Sequence, residues 1–120
     1  MIISRRQVQN IVQFSEEEKQ AFAQILKNLT IRYDNLFETS FPYSAGMHQA
    51  PVNEGDHNEW HWHMHFYPPL LRSATVKKFL VDYEMLASPQ NDITPEWVAE
   101  KLKNLPIVHY FQNDIKKNIR

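Results

Sequence analysis

Cysteine is absent from the 120-residue chain, which removes disulfides and thiolate metal sites at once. Any metal ion would have to be held by histidine, aspartate or glutamate. Glycine is nearly absent as well. Only Gly46 and Gly55 occur, and neither belongs to a glycine-rich phosphate loop, so Walker and dinucleotide-binding readings fail. No apolar run approaches the roughly 20 residues that a membrane helix needs, and the N-terminus lacks a secretory apolar core. Excess charge is missing too: 13 basic and 14 acidic residues give a formal net charge of −1. That balance offers no electrostatic case for nucleic acid or an anionic membrane as partner. A cysteine-free chain fits a reducing cytoplasm. There is no internal repeat, low-complexity tract or linker, and residues 1–120 make one domain by length.

What the chain does have is a concentration of histidine. Four of its six histidines lie between His57 and His65, and His61, His63 and His65 alternate strictly with large apolar residues. Such a run, between a polar loop and Pro68-Pro69, predicts a β-strand from Trp60 to Tyr67. Alternation then sets His61, His63, His65 and Tyr67 on one face, with Trp60, Trp62, Met64 and Phe66 on the other. The aromatic face builds a core. The histidine face builds a site.

The remaining elements follow from local signals. Val8, Ile11, Val12 and Phe14 suggest a strand leading into the first helix, with imperfect alternation. Ser15 and Glu18 form a capping box, Glu16 and Glu17 suit the helix dipole, and Phe22, Ile25, Leu26, Leu29 and Tyr33 recur at helical spacing. A helix from about residue 16 to about residue 37 results, lying across a sheet. Phe41 to Val52 reads as an extended segment carrying His48, and the polar stretch from Asn53 to Asn58 turns it into the histidine strand as a hairpin. Leu70 to Thr75 reads as a loop and Val76 to Leu86 as a further strand. Thr94 caps a second helix with Pro95 at its first position, and Pro106 ends it. Antiparallel strands with one long helix before them and a short helix after give an α+β domain.

Histidines two apart on a strand have Cα atoms roughly 6–7 Å apart, near enough to share an ion, and His48 across the hairpin supplies a third imidazole. Zinc and ferrous iron both accept such a set, completed by a carboxylate or water. Glu54, Asp56 and Glu59 lie nearby, and spacing singles out none of them. The competing reading makes all three histidines structural. Metal binding is preferred, because three alternating histidines are hard to accommodate as satisfied core residues.

The run from His61 to Phe66 also resembles the motif of the histidine triad superfamily, whose members attack a nucleotide α-phosphate through a motif histidine. In that register His63 is the middle residue. Longer stretches are more specific. Arg32-Tyr33-Asp34-Asn35-Leu36-Phe37, Phe41-Pro42-Tyr43-Ser44, the run from His65 to Val76, Lys78-Phe79 and Tyr83-Glu84-Met85-Leu86 strongly resemble the galactose-1-phosphate uridylyltransferase family. The resemblance covers about Arg5 to Leu105. It corresponds to the C-terminal half of those enzymes, each half of which is a histidine triad-like domain.

The resemblance implies a structural iron or zinc on His48, His63 and His65, with a fourth ligand from the N-terminal half, and demotes His61. In the family register His65, not His63, aligns with the nucleophile position of the other half. It further implies that Lys78, Phe79, Val81, Tyr83, Glu84 and Gln90 bind the hexose and phosphates of a UDP-hexose in the active site of a partner subunit. The chemistry is apt: Lys78 offers a charge to phosphate, and Glu84 and Gln90 can hydrogen-bond sugar hydroxyls. Without the resemblance, Lys78 and Glu84 would read as solvated charges. Asp82 departs from the glycine often found in relatives. The family's nucleophile lies in a His-Pro-His-Gly-Gln motif of the N-terminal half, and no His-Pro-His occurs here. The expectation is therefore a C-terminal transferase domain, inactive alone, acting on UDP-hexose and hexose 1-phosphate with a missing N-terminal half or partner subunit, as a homodimer. The alternatives are a self-sufficient nucleotide hydrolase using His61, His63 and His65, and a non-catalytic metal-binding or assembly module.

Overall fold

The computed structural model describes residues 1–68 and 94–112. The expected strand from Val76 to Leu86 lies outside them. The described elements are β1 (Ile2–Ile3), a 3-10 turn (Ile11–Gln13), α1 (Glu16–Phe37), β2 (Ser44–His48), β3 (His63–Tyr67) and α2 (Pro95–Asn104). Strand β3 is central in an antiparallel sheet of order β1-β3-β2. With the long helix and the short later one, this is the α+β arrangement that the pattern predicts and the histidine triad-like one that the resemblance implies. No helix among the described residues is long and apolar enough to cross a membrane.

The described chain forms two compact units. One comprises Met1–Ala23 and Tyr43–Tyr67; the other comprises Gln24–Pro42 with residues 68 and 94–112. In the first unit Trp62 is the anchor, at 1% exposure. Its ring meets Phe14 and Phe22 edge-on at 4.9 and 5.0 Å, the geometry that aromatic quadrupoles prefer. Val8 and Met64 are buried in the same unit. The first turns of α1 thereby pack against the aromatic side of the histidine segment through Phe22.

Strand β3 begins at His63, three residues later than the alternation predicts. Trp62 N–H donates to Val8 O at 2.7 Å, and Ser4 N–H reaches Trp62 O at 3.5 Å. The N-terminal segment thus takes the backbone groups that a longer hairpin would have used. That segment is itself not the expected strand over residues 8–14. Gln9 N–H donates to Gln13 Oε1 at 2.6 Å and Ile11 N–H to Gln49 Oε1 at 2.9 Å. Side-chain amides there satisfy backbone donors that a strand would pair.

The capping box forms as expected. Glu18 N–H donates to Ser15 Oγ at 3.2 Å, and Ser15 N–H donates to Glu18 Oε2 at 2.8 Å. Arg6 reinforces it with bonds of 3.1 and 2.7 Å to the Glu18 carboxylate and a third, of 2.7 Å, to Gln13 O. These bonds, above all the Arg6 side chain, hold the Glu18 carboxyl below the ordinary glutamate range. At its far end α1 stops at Glu38, whose φ of 49° is left-handed, and Thr39 N–H bonds back to Asp34 O at 3.1 Å. This is the helix-ending geometry usually given to glycine. Tyr33 and Phe41 bury their rings in the second unit, 5.8 Å apart. In α2, Thr94 Oγ1 accepts from Trp97 N at 3.3 Å, and Lys101 Nζ lies 4.7 Å from the Trp97 ring centre, within cation–π range.

Candidate functional site

The β2–β3 register sets His48 directly opposite His63, and Gly46 opposite His65. Three of the histidines predicted to converge therefore do. Ring centres are 4.9 Å apart for His48 and His63, 4.7 Å for His48 and His65, and 5.0 Å for His63 and His65. His61 is set apart from this cluster: its Nε2 donates to Ser4 O at 2.7 Å. The demotion of His61 thus has a geometric counterpart, a backbone bond that orients the ring toward the N-terminal segment.

The structural metal is a different matter. His48 and His63 stack with an angle of only 3° between their planes. An imidazole ligates through a lone pair lying in its ring plane, so two ligands of one ion must both have that ion in plane. Two parallel planes set one above the other share no such point. Hydrogen bonds at Nδ1 also fix two of the ring torsions. His63 Nδ1 donates to His61 O at 2.8 Å, and His65 Nδ1 bonds the Tyr67 hydroxyl at 2.7 Å. The carboxylates do not complete a set either. Glu59 Oε1 faces His57 Nδ1 at 3.7 Å, while His57 Nε2 meets Asn53 Oδ1 at 2.8 Å in the intervening loop. Among the described residues no group of three or more His, Asp or Glu is arranged to hold a metal ion. The expectation of a structural iron or zinc on His48, His63 and His65 is therefore corrected: the residues cluster, but as a stacked and hydrogen-bonded face.

The same commitments bear on a triad-type nucleophile. His61, His63 and His65 each have one ring nitrogen engaged, two of them by backbone carbonyls. Burial, followed by the neighbouring His48 and His63, pushes the His65 imidazole below its ordinary pKa. The neutral ring is the favoured form. The proposed hexose- and phosphate-binding set Lys78, Phe79, Val81, Tyr83, Glu84 and Gln90 lies outside the described residues.

Of two further polar features, the sequence pattern reveals one. The Tyr67 hydroxyl as partner of His65 was legible in the alternation, which places both on one face. The polar pair Asp34-Asn35 was not, because both residues sit inside an amphipathic helix where neither periodicity nor spacing marks them.

Residues 1–114 match the family described as galactose-1-phosphate uridyl transferase, C-terminal domain. The chain is 60% identical over 116 residues to the galactose-1-phosphate uridylyltransferase of Saccharomyces cerevisiae, covering 93% of this chain and 31% of that protein. The enzyme of the same name from Haemophilus influenzae is 54% identical over 110 residues, 92% of this chain and 32% of that protein. That of Rattus norvegicus is 52% identical over 115 residues, 92% and 30% respectively. The chain thus spans about a third of the length of these curated relatives. With the family match covering nearly all of its length, the chain belongs to the galactose-1-phosphate uridyl transferase family and corresponds to its C-terminal domain.

Proposed function

We propose that this chain serves a cytoplasmic uridylyltransferase as its sugar-phosphate-binding domain and carries no transfer chemistry of its own. The observation behind the reading is the 60% identity across 93% of the chain to a relative of which it spans only 31%. That relative is named for uridylyl transfer to galactose 1-phosphate. The sequence here holds no His-Pro-His, so the covalent nucleotidyl step belongs to chain supplied from elsewhere, in a homodimer of the complete enzyme. Lys78 is assigned to the phosphates and Glu84 and Gln90 to sugar hydroxyls, with Phe79, Val81 and Tyr83 completing the set that the resemblance implies. A carboxylate accepting from two hydroxyls suits a hexose, and a lysine ammonium suits a diphosphate.

The test has two arms. The purified chain is assayed for uridylyl transfer from UDP-glucose to galactose 1-phosphate, and no turnover is expected. UDP-glucose binding is then measured by calorimetry on the chain and its variants, where Lys78→Ala and Glu84→Ala should each weaken binding by about tenfold, the value of one charge-assisted hydrogen bond. Turnover by the isolated chain would remove the first half of the proposal. Binding insensitive to both substitutions would remove the second.

A further inference from the structure

One side chain near the end of α1 makes three hydrogen bonds to the segment after α2. Asn35 is 8% exposed. Its Nδ2 donates to Pro106 O and to Val108 O, both at 2.9 Å, and its Oδ1 accepts from Tyr110 N–H at 2.8 Å. Both amide hydrogens and the carbonyl are thus spent on the backbone of one short segment. A carboxamide is the side-chain group that can do this, since it donates twice and accepts in one plane.

The preceding residue acts on both sides of the same turn. Asp34 Oδ1 accepts from Phe41 N–H at 2.8 Å, and Oδ2 lies 3.2 Å from His109 Nε2. His109 Nδ1 accepts from Phe111 N–H at 3.3 Å. That bond leaves the ring proton on Nε2, where it is donated to Asp34.

Apolar burial contributes little by comparison. Ile107 is 52% exposed, Val108 39% and Phe111 61%. The rings of His109, Tyr110 and Phe111 stack on one another, with centres 4.4 to 5.5 Å apart, so these ring contacts lie within the segment. A segment held by polar bonds and with its apolar groups outward has a low cost of local opening, because exposing it forfeits little hydrophobic free energy.

We propose that Asp34 and Asn35 form a clasp, and that the segment from Pro106 to Phe111 detaches from α1 and reseats while the helix stays folded. The segment is a strap docked by a carboxamide and a carboxylate, of which the carboxamide makes the larger number of bonds. This inference is independent of the transfer chemistry, since it rests on no substrate-binding residue.

Native-state hydrogen exchange on the 120-residue chain tests it. In the parent, the amides of Tyr110 and Phe111 should exchange through an opening with little denaturant dependence, well before the Tyr33 amide in the body of α1. In Asn35→Ala, Tyr110 exchange should accelerate by at least about tenfold, the worth of one or more lost hydrogen bonds, with Tyr33 unchanged. Alanine is the better helix former, so α1 itself is not weakened. Asn35→Asp keeps the acceptor for Tyr110 but turns a carboxylate toward two carbonyls, and it should release the strap at least as fully. The proposal is overturned if Tyr110 and Tyr33 exchange through the same opening in the parent. It is equally overturned if either substitution leaves Tyr110 protected or accelerates both amides by one common factor.

Discussion

Replacing Trp62 should be the most costly single change in the unit that carries the histidine strand. The side chain is fully buried and meets Phe14 and Phe22 edge-on. Truncating a buried tryptophan to alanine costs about 3–5 kcal/mol, and losing two aromatic pairs pushes toward the upper end. One feature works the other way. Trp62 Nε1 is buried without a hydrogen-bond partner among the described residues, and deleting such a donor relieves about 1–3 kcal/mol of desolvation. The balance for Trp62→Ala is a loss of about 2–4 kcal/mol, a shift of roughly 1–2 M in the urea midpoint. Trp62→Phe keeps one ring against both neighbours and removes the orphan donor, so its loss should be about 1–2 kcal/mol. Far-UV circular dichroism in urea measures both without relying on the tryptophan signal. An alanine variant within about 1 kcal/mol of the parent would refute the anchoring role. A phenylalanine variant as weak as the alanine one would show that the indole N–H is satisfied in solution.

Other perturbations follow from single contacts. Thr94→Ala removes the oxygen that accepts from Trp97 N–H and should cost about 1 kcal/mol in thermal or urea unfolding, with Thr94→Ser recovering most of it. The His65 pKa is lowered in the folded chain by burial and then by His48 and His63. As pH falls through about 6.5 the unfolded chain takes the proton first, so stability declines from there and levels off below the folded value. His65→Asn should flatten that limb in urea titrations, and a parent chain that gains stability on acidification contradicts the assignment. Glu18 is also lowered, chiefly by Arg6 and then by Ser15 N–H, so its contribution is present above the ordinary glutamate value and fades as pH drops through the folded one. Glu18→Gln should remove that acid limb, and Arg6→Ala should shrink it. High salt should weaken the parent more than either variant.

The fold was legible where local and tertiary demands coincide. Ser15 and Glu18 announce the start of α1 and bond there reciprocally, because a capping box needs only neighbours in sequence. Thr94-Pro95 does the same for α2. The hairpin was legible from alternation, which fixes which residues share a face, and the observed register pairs His48 with His63 accordingly. Legibility failed where distant backbone competes. Alternation from Trp60 onward cannot reveal that Val8 O takes the Trp62 amide. Nor can it reveal that Gln13 and Gln49 divert residues 9–11 from a strand into a turn.

The site shows the same boundary more sharply. Residue type and register suffice to gather His48, His63 and His65, since strand geometry delivers Cβ atoms to one face within a fraction of an ångström. Ligation asks for more: a ring torsion at each position that aims a lone pair at one point. Those torsions answer to groups that no pattern of spacing names. His61 O takes the His63 Nδ1 proton, Tyr67 holds His65, and His48 lies flat on His63. Each is a local bond worth about 1 kcal/mol or a stacking contact of similar size, and together they set the rings away from a common centre. Clustering of ligand-type residues was therefore readable from the chain, whereas their chemical use was decided by partners two residues away and across the hairpin.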